Sequence, residues 1–169
     1  MRKFKLELHP DKTRLIEFGR FAQSNRKQRR EGNPETFNFL GFTHMCGKSY
    51  KTGSFNVKRK TIGKKMAAKL KELRQKLRQR MHDGVPETLK WLQSVIRGYF
   101  QYHAIPGNCR RMQAFRKEVA RAWCAQLRRR GQRRKLTWAK FWERLGSLLP
   151  EVKILHPYPT ARFDVRHPR

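Results

Sequence analysis

The residues able to do chemistry are thinly spread. The carboxylates are Glu7, Asp11, Glu17, Glu31, Glu35, Glu72, Asp83, Glu87, Glu118, Glu143, Glu151 and Asp164, and no two are adjacent. A two-metal phosphoryl-transfer centre needs clustered carboxylates to hold its cations, and this spacing supplies no cluster. His9, His44, His82, His103, His156 and His167 give no helix-spaced metal pair. His44-x-Cys46 is half of a zinc site without a second half, and Cys46, Cys109 and Cys124 form no Cys-x-x-Cys. An odd number of distant cysteines argues against a disulfide framework and suits a reducing compartment. A Gly-x-x-x-x-Gly-Lys phosphate loop is missing as well. The expectation is a chain with no catalytic residue, no metal and no cofactor of its own.

The cations tell more. Lys and Arg number 42 against 12 Asp and Glu, a formal charge of +30. Such a charge repels itself in a compact shape, and an anionic partner relieves the repulsion. Nucleic acid is the expected partner. Between residues 58 and 80 lie Lys58, Arg59, Lys60, Lys64, Lys65, Lys69, Lys71, Arg74, Lys76, Arg78 and Arg80, with Glu72 the one acid. The candidates for contacts to RNA are Lys12, Lys58, Arg59, Lys60, Lys64, Lys65, Arg97, Arg110 and Arg111. Tyr50, Phe55, Tyr99, Tyr102, Trp138 and Tyr158 are candidates for stacking on unpaired bases, with packing the plainer role for each. No apolar run approaches the ~18 residues of a membrane span, and Met-Arg-Lys-Phe-Lys is no signal peptide. The expected location is cytoplasmic, bacterial or organellar, in association with nucleic acid.

The elements that would position these cations follow from periodicity. Phe4, Leu6 and Leu8, then Leu15, Ile16 and Phe18, read as two extended segments around His9-Pro10-Asp11. Residues 19–36 read as a polar, basic loop. Phe37 to Phe42 reads as one dense apolar strand, paired with a return strand at Phe55 and Val57 across a cationic tip. So few apolar strands are seldom stable alone, which suggests a sheet edge whose other strands lie elsewhere. From Lys58 the period becomes helical, with Ile62, Met66, Leu70, Leu73, Leu77 and Met81 on one stripe. A second helix is expected from Pro86 to His103, where Val95, Ile96, Tyr99, Phe100 and His103 share a face. Pro106-Gly107 breaks it, and Asn108 is placed to cap a third helix reaching Arg130. Thr137 is placed to cap a fourth, and the chain turns extended from Leu148, with Tyr158, Phe163 and Val165 able to fold it back. The fold class is therefore α+β: a strand-rich piece over 1–57, a basic bundle of three to four helices over 58–149, and an extended tail over 150–169.

Three blocks carry a resemblance. His9-Pro10-Asp11-Lys12-Thr13-Arg14-Leu15, Phe37-Asn38-Phe39-Leu40-Gly41-Phe42 and Ile96-Arg97-Gly98-Tyr99-Phe100-Gln101-Tyr102-His103 resemble the group II intron reverse transcriptase/maturases, in that family's order. The resemblance covers nearly the whole chain. It implies that Leu6 to Thr13 matches a segment of the palm, that Phe39, Leu40, Gly41 and Phe42 match the primer-gripping region, and that the helices match the maturase-specific thumb or X domain. In that family this region binds intron RNA and supports its splicing. The Tyr-x-Asp-Asp turn of the polymerase and the HNH endonuclease domain have no counterpart here, so neither activity carries over. The resemblance therefore implies an intron-RNA-binding maturase fragment, not an enzyme on its own. The alternatives are one half of a split reverse transcriptase needing a separate palm chain, or a truncated remnant.

Overall fold

The computed structural model describes residues 9, 13–50, 52–130 and 136–158. Lys12 and the expected strand residues Phe4, Leu6 and Leu8 lie outside them, as do Phe163 and Val165. The architecture is α+β, with a three-stranded sheet followed by helices. The chain divides into two compact units, residues 1–39 with 44–58, and residues 40–43 with 59–169.

In the first unit, residues 13–18 make no regular strand, and Leu15 is fully exposed. The segment expected as a basic loop contains a short helix, α1 (Ala22–Gln28), with Ala22 buried. Acids flanking α1 pair with Arg26 and with Arg29 just beyond its end. Arg29 pairs with Glu17 and, at 3.0 Å, with Glu31, while Arg26 reaches Glu31 at 3.5 Å. Hydrogen bonds from Arg29 hold the carboxyls of Glu17 and Glu31 below the ordinary range. Phe18 meets Phe37 edge-on at 5.0 Å, and Phe37 stacks on His44 at 4.9 Å.

The single strand expected over residues 37–42 is two strands, β1 (Phe37–Phe39) and β2 (Phe42–Lys48), in the sheet order β1-β2-β3. Leu40 and Gly41 turn the chain, with φ of 44° and 80°. Positive φ at both central positions marks a type I′ hairpin turn. Glycine adopts this freely, whereas a leucine there is strained by about 1–2 kcal/mol. Leu40 is 67% exposed, so its side chain contributes little packing. Leu40→Asn, which creates the preferred Asn-Gly pair, is therefore expected to raise stability by about 1 kcal/mol, as read by thermal melting.

The third strand, β3 (Phe55–Thr61), runs further than the hydrophobic period suggests. Lys58, Arg59 and Lys60 sit on it, not on a helix. Alternation explains this, since Arg59 is half-buried and Thr61 buried while Lys58 and Lys60 are exposed. A two-residue period ending in a buried threonine extends the strand through its charged positions.

Among the described residues, four helices build the second unit: α2 (Gly63–Gln79), α3 (Val85–His103), α4 (Cys109–Arg130) and α5 (Trp138–Arg144), the last followed by a 3-10 turn at Gly146–Leu148. The core takes Leu70, Leu73 and Leu77 from α2, Leu92, Ile96 and Phe100 from α3, and Met112, Phe115, Val119 and Trp123 from α4. Phe141 of α5 meets Trp123 edge-on at 5.5 Å. Thr137 caps α5, its hydroxyl accepting from the Lys140 N–H at 3.3 Å. The extended segment after Leu148 lies back on the bundle. Leu149 is buried, the Leu155 N–H donates to the Ala104 carbonyl at 3.0 Å, and His156 Nε2 bonds the Gln101 carbonyl at 2.6 Å.

Helices α2 and α4 run parallel. The Thr61 N–H donates to Asn108 Oδ1 at 3.0 Å just before the two helices begin. Arg74 pairs with Glu118 at 3.1 Å part-way along. Gln126 Nε2 donates to the Leu77 carbonyl at 2.7 Å near their ends.

Candidate nucleic-acid interface

The parallel arrangement sets two helix beginnings side by side. A helix start carries unpaired N–H groups and a partial positive charge, and it favours acids in its first turn. The first turns of α2 and α4 contain none, and carry Lys64 with Lys65 and Arg110 with Arg111 instead. All four residues are exposed, and none makes an ion pair among the described residues. Arg59 and Lys60 approach the same end as the last charged residues of β3. The acids of the pair lie further along. Glu72 binds Lys69 and Lys76, and Glu118 binds Arg74 and Arg121. Each is nine residues beyond its helix start (72 − 63 and 118 − 109), about 14 Å of helix rise. Their pairing offsets part of the positive charge in the middle of the bundle, whereas the four cations at the beginning have no paired acid among the described residues. Lys76 and Lys69 hold the Glu72 carboxyl down to about 2.

Asn108 holds this end together. In place of the expected cap on α4, its side chain is buried and turned inward. Oδ1 accepts from the Thr61 N–H, and Nδ2 donates to Thr61 Oγ1 and to the His103 carbonyl, both at 2.8 Å. The reason is satisfaction of buried polar groups. The end of β3 and the end of α3 bring an N–H, a hydroxyl and a carbonyl into the interior, and one carboxamide serves all three. The Thr61 hydroxyl lies 3.2 Å from His103 Nδ1. Accepting from Asn108 leaves the hydroxyl proton free to donate to Nδ1, which fits a neutral imidazole. Burial, assisted by nearby Lys65, pushes the His103 pKa below 6.5.

A histidine whose folded pKa is depressed binds fewer protons folded than unfolded. Its stability contribution is therefore complete above the unfolded value and falls as pH drops through it. Thermal stability is expected to fall as pH drops from about 6.5 through the lower folded value, and His103→Gln to flatten much of that fall. An unchanged pH profile in the variant would place the titration elsewhere.

Aromatic residues pack around the same end. Phe42 stacks on Tyr102 at 5.6 Å and meets His103 edge-on at 5.3 Å. Tyr102 Oη donates to the Leu40 carbonyl at 2.6 Å, and the Ile62 N–H donates to the Gly41 carbonyl at 3.1 Å. Tyr99 stacks on Phe115 at 3.7 Å, and burial pushes its hydroxyl up to about 12.

Of the other expected RNA-binding residues, Arg97 lies elsewhere in the second unit and Lys58 in the first. Arg97 is exposed on α3, six residues before His103 and thus about 9 Å of helix rise from the shared end. Lys58 belongs to the first unit, where its methylene stem covers Gly47. A Cβ at Gly47 would lie 2.7 Å from Lys58 Cδ. Of the primer-grip-like residues, Phe39 and Leu40 are exposed, while Gly41 and Phe42 are buried. Tyr50 is fully exposed, and Trp138 and Tyr158 are partly so. Sequence reasoning missed Thr61 as Asn108's partner, although the alternation ending at Thr61 was a usable signal. It also missed the stacked aromatic surroundings of Trp138.

Among the described residues no group of three His, Cys, Asp or Glu is placed to hold a metal, and no helix is long and apolar enough to cross a membrane. No protein-family model, curated protein or solved structure matches this chain.

Proposed function

We propose that this protein binds structured RNA in the manner of a maturase, holding a folded group II intron and supporting its splicing without chemistry of its own. One observation carries the RNA-binding part: two parallel helices begin together with no acid in their first turns and four cations that make no ion pair among the described residues. Cations there weaken the isolated protein and gain their use only when an anion arrives. The spacing suits a polyanion, because phosphates of a folded RNA reach several cations at once. The intron as target rests on the three blocks that resemble the maturases, and it implies action beside nucleic acid in a bacterial cytoplasm or an organelle.

The test is a salt titration of binding to a structured group II intron RNA and to an unrelated RNA duplex of equal length. Intron binding that outlasts duplex binding as salt rises is the expected result. Equal binding that vanishes together would leave a general polyanion binder and remove the maturase reading.

A further inference from the structure

A cleft of about 500 Å³ opens between α4, α5 and the segment that follows the 3-10 turn, lined among others by Gln113, Lys117, Trp138, Trp142 and Glu151. We propose that it takes one unpaired RNA base, guanine by preference, stacked on Trp138 with a neighbouring phosphate on Lys117. This rests on the RNA-binding reading and specifies what part of an RNA the second unit reads.

The walls are built to stay in place. Phe141, buried, stacks behind Trp138 at 5.5 Å and 25°, while Trp138 remains 36% exposed towards the cleft. Trp142 sits 5.5 Å from Trp138 at 34°. The Arg116 guanidinium lies 4.9 Å from the centre of the Trp142 ring and donates to the carbonyls of Pro150 at 2.9 Å, Leu149 at 2.9 Å and Gly146 at 3.3 Å. Arg116 is thus committed to the framework. Gly146 is required there, because a Cβ would lie 2.5 Å from the Trp142 ring. A rigid aromatic face spares a ligand the cost of ordering it.

The polar groups select the guest. Lys117 is exposed and makes no ion pair among the described residues, so it is available to a phosphate. Glu151 is the acid of the lining and likewise makes no ion pair among them. A carboxylate repels phosphate and only accepts hydrogen bonds, so its use beside RNA is to receive donors from a base. Guanine presents two adjacent donors on its Watson–Crick edge, N1–H and the 2-amino group, which match two carboxylate oxygens. Adenine, cytosine and uracil each present one donor group there. A cationic guest, the other partner for a tryptophan beside a carboxylate, is repelled by Lys117 and the net charge of +30.

The experiment uses the full chain and a ten-residue strand of abasic ribose phosphates carrying one central guanine, adenine, cytosine or uracil, compared by fluorescence anisotropy with the wholly abasic strand. Adding guanine is expected to tighten binding about 5- to 140-fold, the range of one base on an aromatic platform. Trp138→Ala should abolish that gain, Trp138→Phe should keep most of it, and Glu151→Gln should reduce the preference for guanine over adenine. Equal binding of the guanine and abasic strands by the unmodified protein overturns the proposal, as does a gain that survives in Trp138→Ala. The two readings fail separately: no base effect, with discrimination for structured intron RNA retained, removes the cleft alone.

Discussion

Replacing Lys64, Lys65, Arg110 and Arg111 together by Ala is expected to lower the log–log salt dependence of RNA binding by about 2.8 to 3.6, at about 0.7–0.9 for each phosphate no longer neutralised. The same variant should melt higher than the unmodified protein, by roughly 2–4 °C. Four like charges at two positive helix ends oppose the folded state, and removing them relieves that opposition. Opposite movement of the two readouts is the informative result. A merely solvated face would lose nothing in binding, and a face needed for folding would lose stability. The measurements are a salt titration and a thermal melt on each protein. An unchanged slope would sink the assignment of this end as the interface.

Asn108→Ala should have the largest effect on stability. It leaves the Thr61 N–H without the Asn108 Oδ1 that accepts from it at 3.0 Å, and it removes one of two bonds from the Thr61 hydroxyl, which keeps His103 Nδ1, and from the His103 carbonyl, which keeps the Ile105 N–H. A buried donor left unsatisfied costs about 1–3 kcal/mol, and each bond lost by a group that keeps another partner about 0.5–1.5 kcal/mol. A total of about 3–5 kcal/mol, or a melting temperature lower by roughly 6–15 °C, is expected. Adding Thr61→Val removes a hydroxyl that has already lost Asn108 and keeps only His103 Nδ1, so the double variant should be less destabilised than the sum of the singles, by about 1 kcal/mol or more. Strict additivity, or a cost below about 1 kcal/mol for Asn108→Ala, would mean that water replaces the carboxamide.

The helices were legible because their signals are local. Leu70, Leu73 and Leu77 repeat at helical spacing and are all buried, and Pro106-Gly107 stops α3 where a Pro-Gly pair should. The misread elements depend on partners outside the local window. Leu40 is no turn former, so Phe-Leu-Gly-Phe reads as strand. Its left-handed backbone is tolerated in a turn whose carbonyl Tyr102 holds from 62 residues away. The cations of α1 read as a loop because the acids that pair with Arg26 and Arg29 flank the helix. Lys58, Arg59 and Lys60 read as the head of a helix because charge hid a two-residue alternation. Asn108 carries a genuine N-cap signal, but three buried groups compete for its carboxamide and win. For the proposed interface, residue types were legible, while the juxtaposition of two helix starts was not. A parallel pair needs a third helix to bring the chain back, and nothing in either stripe encodes that pairing.

The ties between α2 and α4 each span 44 to 49 residues of chain. None can close until α3 has formed and reversed the chain twice, so this end is assembled by non-local pairings that carry the full loop-closure entropy. Either helix alone would display its own two cations, but the four come together only in the finished unit. Recognition and folding are thereby a single equilibrium. A nascent or partly unfolded chain offers RNA a diffuse charge, whereas RNA that selects the assembled end draws the population towards the native state by mass action. An RNA that binds this end would in turn help to fold the protein.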